Sequence, residues 1–173
     1  MSNQDQDSKG LLIDRATGAV CGGAAGDALG AGYEFTNPHP EEEIVMKGGG
    51  IFNWEPGEWT DDTAMAVAIL DVLAQGHCDI EEIGENFLSW YASSPPDVGI
   101  QTSAVLSSAH DGAELIKAGQ EFFEKNPHKA GNGALMRTGP VALSALGDRA
   151  LLAQNAKSIA ALTHAHPDST AAC

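Results

Sequence analysis

Apolar residues recur along this chain at the spacing of helices rather than of strands. Residues 61–75 are apolar on more than one face, which predicts a central helix that ends at Gly76. Asp79 and Glu82 form a capping-box pattern, and the apolar residues that follow share one helical face. No stretch keeps the alternation of a half-buried strand. The pattern therefore predicts roughly seven helices joined by short turns, an all-α fold.

Further helices are predicted over residues 97–109, after Pro95-Pro96, and over 149–162, with Asp148 as the cap. Residues 118–130 are polar and are interpreted as a surface connection. The least polar segments are expected to form the inner layer of the fold: Gly18–Gly32, Asp61–Gln75 and Gly139–Leu146.

A ridge of glycines marks the first predicted helix, residues 11–32. Gly18, Gly22, Gly26 and Gly30 follow at a spacing of four, which places them on one helical face. Glycine costs a helix about 1 kcal/mol per site relative to alanine. The ridge therefore favours a close approach of either another helix or a ligand to this backbone, and the pattern does not separate the two.

The ends and the longest loop complete the organisation. Residues 1–9 are polar and predict a disordered tail, whereas residues 10–173 are expected to belong to one domain. Residues 36–58 are rich in Pro and Gly, and a loop of this length is unusual in a compact domain unless it is functional. Its triple glycine, Gly48-Gly49-Gly50, offers a hinge for closure over a site.

Composition narrows the class of partner. The net charge is −15 with only nine Lys and Arg residues, which excludes a nucleic-acid surface. An anionic ligand would have to be held by backbone N–H groups or by a bound metal. Three cysteines without a CxxC pair predict reduced thiols, small core residues and a cytoplasmic location. No apolar run approaches the ~18 residues that a membrane span needs.

Thr60-Asp61-Asp62-Thr63 is the strongest candidate for chemistry, because two adjacent carboxylates stand directly before the central apolar helix. Burying both is costly unless a positive charge lies beside them. Mg²⁺, Mn²⁺ and Ca²⁺ prefer such oxygen ligands. The alternative is an ordinary helix start, where Thr and Asp cap free N–H groups.

Three other groups carry candidate residues. Asp97 is either a functional acid or the N-cap of the helix that follows it. Gly131-Asn132-Gly133 suits a loop of free N–H groups at a helix start that could cradle an anion, with Arg137 adding one positive charge. His164 and His166 lie two apart beside Pro167, a pattern that favours a helix-end cap or a ligand contact over metal binding.

Taken in order, these motifs resemble a known family. GAVCGGAAGDALG, YEF, TDDT, PPDVGIQT, GNGALMR and THAHP follow one another as in the N-terminal part of the ADP-ribosylglycohydrolases, which include the dinitrogenase reductase-activating glycohydrolases. The resemblance covers residues 12–173. It implies an all-α orthogonal bundle and a centre of two divalent cations, Mg²⁺ or Mn²⁺. It also implies hydrolysis of the bond between ADP-ribose and a modified side chain, with ADP-ribosylarginine as the expected linkage.

The resemblance also implies roles for individual residues. Thr60, Asp61 and Asp62 match metal ligands. Glu34 matches a carboxylate near the metals, and Asp97 an acid that faces the terminal ribose; either could protonate the leaving guanidine. The remaining matches are ligand-binding positions: Gly131, Asn132 and Gly133 in the diphosphate loop, and His164 beside the ligand.

One family feature has no counterpart in this sequence. Family members complete the metal centre with an Asp-x-Asp-Thr cluster near their C-terminus, and Asp168-Ser169-Thr170 does not fit that pattern. We therefore expect a second chain or a further C-terminal segment to complete the site. The alternatives are a relative that binds ADP-ribose, or serves structurally, without turnover, and a hydrolase of another ADP-ribosyl linkage.

Overall fold

The computed structural model describes residues 3–173, with side chains from Asp7 onward. Within that range it contains no strand, only an isolated bridge between Gly49 and Trp54, so the predicted all-α class is confirmed. The helices are α1 (Asn3–Ala31), α2 (Asp61–Leu73), α3 (Ile80–Ala92), α4 (Ile100–Leu106), α5 (Gly112–Lys125), α6 (Arg149–Ala161) and α7 (Pro167–Ala172). Two short 3-10 helices, Leu135–Arg137 and Gly139–Leu143, stand between α5 and α6.

The chain divides into two compact units, Met1–Thr60 and Asp61–Cys173. The first consists of α1 and the long loop that follows it. Helix α1 is already formed at Asn3, whereas the sequence predicts a tail over residues 1–9, of which residues 1 and 2 lie outside the described range. The first turns of α1 contain no proline and include several good helix formers. The local sequence there therefore allows a helix without help from tertiary contacts.

Glycines in the long loop form a tight turn. Gly49 and Trp54 exchange backbone hydrogen bonds of 2.7 and 2.9 Å, and Gly48, Gly49 and Gly50 all have φ between 62° and 78°. A Cβ at Gly32 would lie 2.2 Å from the carbonyl oxygen of Gly48, so this contact also requires glycine. The structure thus explains the triple glycine by turn geometry and close packing, where the sequence suggested a hinge.

The second unit holds the main apolar core. Met65, Ile69 and Val72 of α2 are fully buried, together with Ile83 and Phe87 of α3. Asp79 caps α3 and Asp148 caps α6, as the sequence predicts. The carboxylate of Glu82 bonds Gln75 and His77, so the capping box is only half made.

Helix α5 corrects the interpretation of residues 118–130 as a surface connection, because the helix continues to Lys125. Its few apolar residues, including the fully buried Leu115, form one narrow stripe. Gly119 is required where α5 meets the end of α6, since a Cβ there would lie 2.2 Å from the carbonyl oxygen of Ala161. Leu115, Ala118 and Phe122 follow a helical spacing, so the periodic signal is present in a segment whose other residues are mostly polar.

The structure also tests the prediction about the cysteines and shows whether any helix could span a membrane. Cys21 is exposed and Cys78 and Cys173 are half-buried, all as free thiols, so the expectation of small core residues is wrong for Cys21. Across the described residues, no helix combines the length and the apolar character that crossing a bilayer requires.

Candidate active site

The acidic pair opens helix α2. Asp61 and Asp62 occupy the first turn, where the helix dipole favours negative charge. Asp61 is only 8% exposed, and its neighbours Thr60 and Thr63 are each 7% exposed. A carboxylate this deeply buried is stabilised only by a positive charge or by hydrogen bonds. Both interpretations of the motif therefore remain compatible with its position, since a helix start and a cation site use the same place.

Thr60 is held by a residue that the sequence analysis missed. The carboxylate of Asp27, near the end of α1, accepts a hydrogen bond of 2.8 Å from the Thr60 hydroxyl and one of 3.0 Å from the Thr60 N–H. Both residues belong to the first unit. The signal was an acid inside a Gly/Ala-rich helix, GAAGDALG, but nothing in the sequence names its partner 33 positions away.

Glu34 and Asp97 lie outside regular helices. Glu34 follows α1 in a turn and is half-buried, next to Phe35, which is 74% exposed with φ 57°. Asp97 is half-buried and precedes α4, whose N-cap is Gly99. The interpretation of Asp97 as the N-cap is therefore wrong, and a role as a functional acid stays a prediction.

The GNG loop, Gly131-Asn132-Gly133, leads into the three-residue 3-10 helix Leu135–Arg137. The expected apolar α-helix is absent at this point, so a helix dipole adds little to anion binding. Asn132 and Gly131 are exposed, and the carbonyl oxygen of Asn132 accepts a 2.9 Å bond from the N–H of Leu135. Ser169 of α7 ties the loop down by donating to the carbonyl oxygen of Gly131 at 3.2 Å.

His164 packs directly against this loop. A Cβ at Gly133 would lie 2.8 Å from Cε1 of His164, and a Cβ at Gly131 would lie 3.1 Å from its Nε2. The imidazole is 2% exposed. The two glycines are therefore explained by the ring beneath them, which brings together three of the residues that the resemblance implies as ligand-binding.

Arg137 supports the ring from within the core. It is fully buried, with its guanidinium carbon 4.4 Å from the centroid of the Phe87 ring. Nη2 donates to the hydroxyl of Thr163 at 2.8 Å, and that hydroxyl bonds Nδ1 of His164 at 2.8 Å. The expectation that Arg137 lends its charge directly to the loop is thus corrected: it acts through Thr163.

Burial sets the charge states of these groups. It lowers the pKa of Arg137 to about 9, an effect that electrostatic interactions with Cys173 and Asp61 partly oppose. Burial also lowers the pKa of His164 to about 4, with a further contribution from the positive charge of Arg137. At neutral pH the guanidinium is charged and the imidazole is neutral. Arg137 therefore lies between the acidic start of α2, which attracts it, and the GNG loop, which it supports.

His166 has a different role from His164. It is the N-cap of α7, where its Nδ1 accepts a 3.1 Å bond from the N–H of Asp168, and Pro167 follows as the first helical residue. The expectation of a helix-end cap is confirmed for this histidine.

Comparison with known proteins identifies the family. A sequence model described as ADP-ribosylglycohydrolase matches residues 8–173. The chain belongs to the ADP-ribosylglycohydrolase family. It is 39% identical over 170 residues to the ADP-ribosyl-[dinitrogen reductase] glycohydrolase of Rhodospirillum rubrum, a match that covers 92% of this chain and 54% of that protein.

Two further matches support the assignment to this family. The chain is 32% identical to the ADP-ribosylarginine hydrolase Tri1 of Serratia proteamaculans (strain 568), over 93% of this chain and 45% of that protein. A solved ADP-ribosylglycohydrolase-related protein complex superposes with a TM-score of 0.74 and 34% identity, covering 91% of this chain and 52% of that one. The chain thus spans about half the length of the relatives it matches.

The side chains of this family member fit part of a metal centre. A threonine hydroxyl and two carboxylates are hard oxygen donors, which suits Mg²⁺ or Mn²⁺. An octahedral ion takes about six ligands, so these three cannot enclose two ions. Over residues 7–173, no three His, Cys, Asp or Glu side chains form a group that could hold a metal ion. Thr60, Asp61 and Asp62 fit one edge of such a centre.

A cleft of about 220 Å³ lies beside the GNG loop, with Gly131 and Asn132 on one side and Asp168 and Ser169 on the other. Sites for drug-sized ligands measure roughly 300–1,000 Å³. The cleft is therefore large enough for one end of a nucleotide-sized ligand. Residues beyond those that line this cleft would be needed to enclose the rest of the ligand.

Proposed function

We propose that this chain carries the metal-ligand and diphosphate-binding part of an enzyme that removes ADP-ribose from modified proteins, with ADP-ribosylarginine as the substrate linkage. The observation that carries the proposal is the family match over residues 8–173, together with relatives named as hydrolases of that class. A second chain or a further C-terminal segment completes the site, because the relatives are about twice as long.

Each group has a defined task in this proposal. Thr60, Asp61 and Asp62 hold divalent cations, and bound Mg²⁺ or Mn²⁺ would polarise the ribose hydroxyls and lower the pKa of a water. The backbone N–H groups of the GNG loop bind the diphosphate, which allows an acidic protein to hold an anion without a cluster of Lys and Arg. Glu34 or Asp97 protonates the guanidine as it leaves.

Isosteric variants of the acidic pair test the proposal. Asp61→Asn and Asp62→Asn keep the size of the side chain and remove its charge, whereas Asp71→Asn makes the same change at an exposed position on the same helix. Binding of Mn²⁺, followed by electron paramagnetic resonance, should weaken by at least about tenfold in the first two variants and stay unchanged in the third.

Activity is then measured as ADP-ribose released from ADP-ribosylarginine and, in parallel, from a serine-linked substrate. Release that depends on Mg²⁺ or Mn²⁺ and is lost in Asp61→Asn supports the proposal. Binding of ADP-ribose without release from either substrate, even with the second chain or C-terminal segment that completes the site present, favours the non-catalytic alternative. Release from the serine-linked substrate alone would replace the arginine linkage. Equal Mn²⁺ binding in all variants would overturn the assignment of the metal ligands.

A further inference from the structure

The buried polar chain, which we define as Arg137, Thr163 and His164, ends at a nitrogen with no assigned task. Arg137 and Thr163 are fully buried and His164 is 2% exposed. Nδ1 of His164 is bonded to Thr163, whereas Nε2 has no hydrogen-bond partner among the described residues. Among the described residues, the buried side-chain nitrogens without a hydrogen-bond partner are Nε1 of Trp54 and Nε of Arg137, so Nε2 of His164 is not fully enclosed and can meet a ligand.

The direction of each hydrogen bond in the buried polar chain follows from Arg137. A guanidinium can only donate, so the 2.8 Å contact makes the Thr163 oxygen an acceptor. The single hydroxyl hydrogen of Thr163 then needs an acceptor of its own, and Nδ1 of His164 lies at 2.8 Å. If Nδ1 carried the proton instead, this buried hydroxyl hydrogen would lose that acceptor. The neutral ring is therefore protonated at Nε2.

The position of Nε2 indicates what it meets. It lies 3.1 Å from the Cβ position that either Gly131 or Gly133 would have, so the GNG loop curves over this one atom. The absence of both Cβ atoms leaves Nε2 accessible from the loop. A neutral N–H donor there complements an oxygen acceptor of a ligand bound by the same loop.

We propose that Thr163 is a positioning residue: held as an acceptor by Arg137, it fixes His164 in the Nε2–H tautomer, which donates a hydrogen bond to a phosphate oxygen of the ligand on the GNG loop. The proposal rests on the proposed function for the identity of that ligand. It assigns to Thr163 and Arg137 a role in ligand binding, although neither touches the ligand.

A matched pair of variants at one position tests the assignment. Thr163→Val keeps the shape and removes the hydroxyl, whereas Thr163→Ser keeps the hydroxyl and loses one methyl group. The tautomer is read from long-range ¹H–¹⁵N NMR spectra of the 173-residue chain labelled in histidine, with His164→Asn to assign the signal. Binding of ADP-ribose in the presence of Mg²⁺ is measured by calorimetry on the same samples.

The expected result is the Nε2–H tautomer in the unsubstituted chain and in Thr163→Ser, and a mixture or the Nδ1–H form in Thr163→Val. The affinity for ADP-ribose should fall by about 5- to 30-fold in Thr163→Val and recover in Thr163→Ser. A merely structural role would lower stability without changing the tautomer.

Three outcomes overturn the inference: an Nδ1–H tautomer in the unsubstituted chain, an unchanged tautomer in Thr163→Val, or equal ADP-ribose affinity in the two variants despite different tautomers. Failure of the proposed function is distinguishable. It appears as no ADP-ribose binding in any sample even when the second chain or C-terminal segment that completes the site is present; that result removes the donor role, while the ligand-free spectra still decide the tautomer.

Discussion

Helices α1 and α2 invite comparison, because the sequence places Gly18–Gly32 and Asp61–Gln75 in the inner layer, and the two segments are buried to different degrees within their own units. Met65, Ile69 and Val72 of α2 are fully buried. On α1, Ala28 and Ala31 are buried, but the four ridge glycines are exposed, and among the described residues a Cβ added at any of them would meet nothing within 4 Å outside the helix backbone. Low polarity alone therefore does not predict burial.

The difference lies in how much apolar surface each helix offers. Helix α2 carries large side chains, and burying one contributes about 1.5–3 kcal/mol. The ridge of α1 consists of glycine and alanine, so its burial gains little from the hydrophobic effect. A helix face of glycine and alanine can be tightly packed in one protein and exposed in another. The glycine ridge therefore did not separate the approach of another helix from the approach of a ligand.

Removing a large side chain from α2 should give the largest effect. Ile69→Ala opens a cavity beneath a fully buried residue and should lower the free energy of unfolding by about 2–5 kcal/mol. Leu12→Ala on α1, where Leu12 is 46% exposed, is the matched control and should change it by less than about 0.5 kcal/mol. Urea unfolding followed by circular dichroism measures both. Equal losses would show that α1 is as tightly packed as α2.

The next largest effect is expected in the pH dependence of the unfolding free energy, because the imidazole of His164 is buried in the unit that contains α2. Burial, and then the charge of Arg137, lower the pKa of His164 to about 4, from an ordinary value of 6.5. Between those two pH values the unfolded chain binds a proton that the folded chain does not, so the stability due to the neutral ring is complete above 6.5 and falls as the pH falls.

The control is His164→Asn, which has no titrating group at this position. Between pH 7 and pH 5 the unsubstituted chain should lose about 2 kcal/mol more of its unfolding free energy than the variant does. Urea unfolding at the two pH values gives the difference. Equal losses would mean that folding does not lower the pKa of the ring.

On α1 itself, Asp27 is partly buried and precedes the buried residues Ala28 and Ala31. Asp27→Asn keeps an oxygen for the Thr60 hydroxyl but removes one acceptor, so the Thr60 N–H loses its partner. We expect a loss of about 1–2 kcal/mol in unfolding free energy and weaker Mn²⁺ binding if Thr60 is a ligand. Asp14→Asn, at an exposed position of α1, is the control for charge. Identical behaviour of the two variants would argue against the Asp27–Thr60 contact.

The smallest expected effect has the opposite sign. Gly22→Ala adds a methyl group where nothing described lies within 4 Å, so it should stabilise α1 by about 0.5–1 kcal/mol through helix propensity. Gly119→Ala, where a Cβ would lie 2.2 Å from a carbonyl oxygen, should instead destabilise. Thermal unfolding of the two variants compares them directly. A loss of stability in Gly22→Ala would reveal a partner packed on the glycine ridge.

Local signals predicted local features well. The all-α class, the caps Asp79 and Asp148, and the strongly apolar α2 follow from propensity, capping chemistry and period. The helix over 112–125 was missed because its mostly polar composition was given more weight than the helical period of its apolar residues, and the helix after the GNG loop was wrongly expected because a 3-10 turn has no sequence signature of its own.

The sequence by itself determined which chemical groups are present: the acidic pair before α2, the GNG loop, and the ordered motifs that identify the family. Only the tertiary structure decided which groups meet. Asp27 holds Thr60 across 33 positions, and Arg137 is fully buried and reaches His164 through Thr163. The reason is physical: propensity and capping act within a few residues along the chain, whereas hydrogen-bond partners and desolvation depend on neighbours brought together only by packing.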